Sequence, residues 1–179
     1  MGHVGGASAL AGGRRHSVGR RWDGSVLAVG NNAAGECRVE RWDRVVAVAA
    51  GNVHTARNTG KSHTVGLRSD DTVLAAGWNG DGQCDVTDWS EITAVAAGWR
   101  FRLGLRADGT VRAAGRGAEG QCAVQDWRDV VAVAAGSLHT LGLCADGTVI
   151  SAGNNADRQC AVDSWSGVRT STAWNRNHA

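Results

Sequence analysis

The chain has 179 residues, of which 26 are Gly and none is Pro or Tyr, and its formal charge is +2. That length fits one domain or a short repeat array with room for a core. A charge so near neutrality selects neither nucleic acid nor an anionic membrane surface, and five Cys without a C-x-x-C pair exclude a disulfide framework or a zinc cage.

The opening MGHVGGASALAGGRRH lacks a basic leader followed by a sustained apolar core, and no later run approaches a membrane span. The expectation is a soluble, cytoplasmic protein with residues 1–8 as a tail. Repetition starts at residue 9. Four segments end in Trp: GECRVERW (35–42), GQCDVTDW (82–89), GQCAVQDW (120–127) and RQCAVDSW (158–165). Cys84, Cys122 and Cys160 are 38 positions apart, as are Trp89, Trp127 and Trp165, whereas Cys37 and Cys84 are 47 apart. The spacings mark units at about 9–46, 47–92, 93–130 and 131–168, then a partial repeat to 174 and a tail at 175–179.

The nine extra residues fall in HTARNTGKSHTVGL (54–67). Removing them between Gly51 and Ser62 turns the stretch into a copy of AAGSLHTLGL (134–143), so it reads as a loop insertion. TGKS resembles the end of a phosphate-binding loop, but such a loop needs Gly where Thr55 stands, and it should open a helix rather than a strand. NGDGQ (79–83) lacks the acidic spacing and terminal Glu of a calcium loop. No cofactor or metal is expected.

Each unit predicts four short antiparallel strands. VAVAAG (46–51, 131–136) and TAVAAG (93–98) are small and apolar on both faces, as a strand squeezed where sheets converge must be. HTVGLR (63–68), FRLGLR (101–106) and HTLGLC (139–144) follow, with Gly66, Gly104 and Gly142 marking a close backbone approach or a bend. Asp-Gly at 108–109 and 146–147 then signals a hairpin into a third strand, while the second unit has Asp71 in the Gly position, which leaves its turn open to differ. A fourth, outer strand carries the Cys and ends in the Trp. The fold class is therefore all-β: propeller blades of four antiparallel strands, about four repeats forming a partial or small ring.

The stretch VVAVAAGSLHTLGLCADGTVISAGNNADRQC (130–160) resembles the regulator of chromosome condensation repeat. The resemblance covers roughly residues 9–170 and departs from the family pattern in placing Val29, Ala76, Ala114 and Ala152 where Trp is common and Cys where an apolar residue follows Gly-Gln, the mark of a divergent, short-repeat, bacterial-like subgroup. It implies a β-propeller, typically of seven blades, that works in recognition through its faces and loops. Four units span little more than half of a ring that turns by roughly 51° per blade. Two such arcs could close each other, so the expected oligomer is a homodimer.

Cys37, Cys84, Cys122 and Cys160 are expected as buried small apolar side chains, because equivalent blade positions lie roughly 10 Å apart, beyond disulfide reach. His16, His63 and His139 share a slot with Phe101 and are expected to be turn-stabilising hydrogen-bond partners; Trp42, Trp89, Trp127 and Trp165 are expected to cover blade edges. GWRF (98–101) resembles the Gly-Trp-Arg-His-Thr motif of the plant UV-B photoreceptor, a member of the same family in which clustered Trp absorb light, but the only partner that repeat position offers Trp99 is Trp174.

The function expected is non-enzymatic: a self-associating scaffold or adaptor that grips a protein partner with the insertion residues Arg57, Asn58, Thr59 and Lys61 and with Trp99 and Arg100. The alternatives are an enzyme or enzyme accessory with a small-molecule site between paired half-rings, and a UV-B sensor. Unlike groups converging on one point, the mark of a catalytic site, are not visible in a chain whose acids are mostly turn Asp in repeated slots.

Overall fold

The computed structural model describes residues 8–51 and 61–170. Four three-stranded antiparallel sheets follow one another along the chain. The first holds β1 (Leu10–Gly12), β2 (His16–Arg20) and β3 (Val26–Gly30); the second β4 (Val45–Ala50), β5 (His63–Arg68) and β6 (Val73–Gly77). The third holds β7 (Ile92–Ala97), β8 (Phe101–Arg106) and β9 (Val111–Gly115), and the fourth β10 (Val130–Ala135), β11 (His139–Cys144) and β12 (Val149–Gly153). Among the described residues there is no helix, hence none long and apolar enough to cross a membrane.

The sheets are near copies. Val48, Val95 and Val133 face Gly66, Gly104 and Gly142 across the first strand pair, and the register shifts at the same place, after Val45, Ile92 and Val130. Successive sheets stack: β4 touches β1 and β2, β7 touches β4 and β5, and β10 touches β7 and β8. The first strands β4, β7 and β10 thus line an inner edge, where mostly Val and Ala sit between neighbours.

The hairpin turn is the same in every unit. Gly24, Gly109 and Gly147 have φ of 81°, 79° and 87°, and Asp71 takes the same left-handed conformation at 63°. Its turn does not differ, because Asp70 Oδ1 accepts from both the Thr72 backbone N–H and its hydroxyl, as Asp108 does from Thr110 and Asp146 from Thr148. Those hydrogen bonds hold all three Asp carboxyls below the usual carboxylate range.

The predicted fourth strand is a chain of turns instead. Side chains occupy its backbone: Asn32, Asn79 and Asn155 Oδ1 accept from Cys37, Cys84 and Cys160 N–H, and Gln83, Gln121 and Gln159 Oε1 accept from the N–H two residues before each. A backbone partnered by amide side chains has nothing left for a ladder.

These turns plug the gaps between blades. Val39 joins Val18 and Val26 beneath Val45 and Val48; Val86 joins Val65, Leu67 and Val73 beneath Ile92 and Val95; Val124 joins Leu103, Leu105 and Val111 beneath Val130 and Val133. The repeat tryptophans do more than cover edges. Trp42, Trp89 and Trp127 lie so close over Gly66, Gly104 and Gly142 of the next sheet that a Cβ there would sit 2.8, 2.7 and 2.7 Å from the ring. Strand glycines are thus required by the neighbouring blade rather than by a bend. Burying the roughly 150–250 Å² of a Trp at about 25 cal/mol per Å² contributes a gross of about 4–6 kcal/mol at the Trp89 junction, where the ring is buried, and less at Trp42 and Trp127, which are half-buried.

Candidate functional site

Adjacent loops bring three cations and two tryptophans together. Trp78 follows β6, with its N–H donating to Ser62 O at 2.9 Å; Trp99 and Arg100 form the turn between β7 and β8; Arg116 follows β9, with its N–H donating to Arg100 O at 2.8 Å. The side chains alternate. Lys61 Nζ lies 5.0 Å from the Trp78 ring centre, the Arg100 guanidinium 4.4 Å from Trp78 and 5.6 Å from Trp99, and Arg116 5.3 Å from Trp99. All fall within cation–π range.

Carboxylates brace the arginines. Asp81 Oδ2 meets Arg100 Nε at 2.5 Å with both side chains mostly covered, and Glu119 Oε1 meets Arg116 Nη2 at 2.5 Å while Gln121 Nε2 donates to Glu119 Oε2 at 3.1 Å. The Arg116 hydrogen bond, followed by that of Gln121, holds the Glu119 carboxyl below the usual range, and the same pair raises the Arg116 guanidinium. Arg100 has φ 62°, whereas no positive φ occurs at its repeat counterparts Arg15, Ser62 and Leu138. A bulky residue held in that conformation costs about 1–3 kcal/mol, and such costs concentrate at functional positions. Cations outnumber acids three to two in the row; Trp99 is buried and Arg100 mostly covered, so the half-buried Lys61, Trp78 and Arg116 are what the face presents to solvent.

Of the residues singled out in the sequence, Lys61, Trp99 and Arg100 come together here; Arg57, Asn58, Thr59 and Trp174 lie outside the described residues. The sequence reading missed Trp78, Arg116, Asp81 and Glu119. It also named Trp174 as the sole partner for Trp99, and this is corrected: Trp78, from the preceding blade, stands across Arg100 from it. That neighbour is invisible to repeat alignment because Trp78 leaves an outer strand whereas Trp99 leaves an inner one.

The other candidates supply no chemistry. Cys37, Cys84, Cys122 and Cys160 are half-buried rather than buried, and each Sγ donates to the carbonyl six residues earlier, at 3.2, 3.5, 3.2 and 3.3 Å. Burial pushes the Cys122 thiol up to about 11 and raises those of Cys37 and Cys84, so the nucleophilic thiolate is scarce at neutral pH. His16 Nε2 pairs with Thr64 Oγ1 at 3.1 Å, but His63 makes no hydrogen bond through either ring nitrogen and instead packs on Gly51, as Phe101 packs on Gly98. The turn-bonding role expected of the repeated His therefore fails at His63, because Arg102 and not Thr occupies the matching place in the next blade. That Arg102 is fully buried against Trp89 at 5.3 Å, and desolvation lowers its guanidinium to about 10. Among the described residues no group of three or more His, Cys, Asp and Glu could hold a metal ion.

Repeated small-strand blades and a shared Trp-on-Gly junction define the class: a repeat β-propeller. The family model for the regulator of chromosome condensation (RCC1) repeat matches residues 58–83, 92–121 and 130–159, and the chain belongs to that repeat family. Comparison with curated protein sequences finds no match. Solved structures share the fold. Yeast RCC1 (Prp20) bound to Kap60 is 21% identical, with a TM-score of 0.65 over 94% of this chain and 49% of its own. Prp20p from Saccharomyces cerevisiae, studied for its binding to Gsp1p and histones, is 21% identical with a TM-score of 0.63 over 94% and 51%. Human WBSCR16 is 20% identical with a TM-score of 0.65 over 86% and 50%. The chain spans about half the length of the propellers it matches.

Proposed function

We propose that this protein is a non-enzymatic adaptor that binds a protein partner on the face bearing Lys61, Trp78, Trp99, Arg100 and Arg116, and that associates with itself. The row of cations interleaved with indoles carries the reading, since Trp and Arg are the side chains that dominate protein interfaces. Its excess positive charge favours a partner surface that offers carboxylates. The two yeast Prp20 structures, one bound to Kap60 and one studied for binding to Gsp1p and histones, support a recognition role for the scaffold. Insertion residues Arg57, Asn58 and Thr59 belong to the same proposed surface, as they precede Lys61 in the loop. Affinity capture with the native chain against an Arg57→Ala/Lys61→Ala variant and a Trp78→Ala variant tests this. Loss of the captured partners from both variants is expected, and an unaltered partner set from both would overturn the assignment.

One observation favours a second reading, a UV-B sensor: Trp78 and Trp99 flank Arg100, which is ion-paired to Asp81. Excitation redistributes charge within the indoles that lie against Arg100, which weakens its hold on Asp81 without any net transfer and thereby alters an interface. UV-B illumination would then change the sedimenting species, and Trp99→Phe would abolish the response. An unchanged profile under light removes this reading and leaves the adaptor standing.

A further inference from the structure

We infer that the two open ends of the blade stack are complementary halves of one interface, closed by a second copy of this chain whose first blade lies on Trp165. The inference rests on the self-association proposed above and names the surfaces that carry it. Within the chain the junction is written three times, as Trp42 over Gly66, Trp89 over Gly104 and Trp127 over Gly142. Each end keeps one half of a fourth. Trp165 closes the last unit in the same register, and its side chain is 50% exposed where Trp89 is 3% exposed. Gly19 holds the register position of Gly66 on β2, yet a Cβ built on it meets only Leu10 Cδ2, at 3.4 Å. Nothing among the described residues requires a glycine there, and a strand glycine without a packing reason weakens the strand.

The surrounding side chains repeat the same mismatch. Leu10 stands where Val48 and Val95 stand in their sheets, and those two pack on the preceding blade. Val48 is 2% exposed; Leu10 is 76% exposed. Leu27 and Val29 correspond to Leu74 and Ala76, which also face backward onto the preceding cluster, and they too are bare. At the other end Leu141, Leu143, Val149, Trp165 and Val168 line an apolar groove of about 180 Å³, in the places that Val65, Leu67, Val73, Trp89 and Ile92 fill in a closed junction. Polar groups match as well. Thr64 and Thr140 hydroxyls donate to the carbonyls of Glu36 and Gln121 in the preceding unit, at 2.7 and 2.8 Å. Ser17 is the exposed counterpart of those Thr, and the Gln159 carbonyl is the counterpart acceptor.

A second copy is favoured over the chain's own continuation by what each offers the groove. The slot taken by Val48 and Val95 would receive Ser171 from the continuation and Leu10 from a second copy. An apolar slot selects the leucine. The contact is head-to-tail, and two such contacts about a two-fold axis close a ring of eight blades if each turns by roughly 45°, somewhat less than the roughly 51° of a seven-blade ring.

Sedimentation of the 179-residue chain at micromolar concentration tests the lock. The native chain is expected as a dimer. Trp165→Ala and Gly19→Val should each raise the dissociation constant roughly tenfold or more, with the far-UV circular dichroism unchanged, since a side chain at 19 has room within its own blade. An equimolar mixture of the two variants should pair again, because one contact in the mixed pair joins a native Trp165 to a native Gly19. This recovery cannot come from misfolded chains. A native dimer that survives both substitutions would overturn the lock while leaving self-association in place. A native chain that sediments as a folded monomer would overturn both, and would leave the open ends to further blades or to residues 171–179.

Discussion

His63 shows how a repeat position can change its physics while keeping its residue. Its ring is fully buried on Gly51, without a hydrogen bond to either nitrogen, and burial first, then the positive charge of Arg102 and of His16, lowers it to about 3. Between pH 3 and 6.5 the unfolded chain therefore binds a proton at this residue that the folded chain refuses. Stability contributed by the neutral ring is complete above about pH 6.5 and is lost as the pH falls, by at most about 1.4 kcal/mol per unit. Phe101 fills the same slot in the next blade, so His63→Phe fits without new strain. Urea denaturation at pH 7 and pH 5 should show the native chain losing more stability on acidification than the variant does. His16, also lowered by burial, adds a smaller drop in both proteins and leaves the difference intact. Equal losses would mean that His63 is not held neutral by its surroundings.

At the scale of the element, the strands that touch other strands were legible and the segments that touch side chains were not. Small β-branched and Ala residues on both faces marked β4, β7 and β10, alternation marked β5, β8 and β11, and Asp-Gly marked the hairpins, since each pattern answers to backbone pairing or burial alone. GQCDVTDW alternates apolar and polar residues just as a strand does. It is built of turns because Asn79 and Gln83 use their amides on its backbone, a choice that composition does not reveal. Its Cys and Val remain inward-facing, which is why the alternation looked right. The insertion was recognised by arithmetic, and β4 and β5 keep on either side of it the register that β7 and β8 keep without one. The candidate face was half legible: Trp99 and Arg100 announce themselves as an unusual pair, whereas Trp78, Asp81, Arg116 and Glu119 join them only because adjacent blades bring different parts of their repeats to one edge.

The whole molecule is a short one-dimensional stack, and its stability should follow its neighbours. β5 and β8 are buried along nearly their whole length, with a sheet on either side, whereas β2 and β11 are buried only at alternate or scattered positions because one neighbour is missing. Stacked repeats gain most of their stability from nearest-neighbour junctions, so opening an end blade breaks one junction and opening an inner blade breaks two. In the dilute chain, amide exchange should be slowest in β5 and β8 and faster in β2 and β11. The proposed pairing of copies through the open ends would give β2 and β11 their second neighbour and leave β5 and β8 unchanged. Raising the protein concentration through the dimer transition should therefore slow exchange selectively in β2 and β11, whereas Trp165→Ala should hold them at their dilute rates. Protection that is uniform across the four sheets at every concentration would contradict the stack and its open ends together.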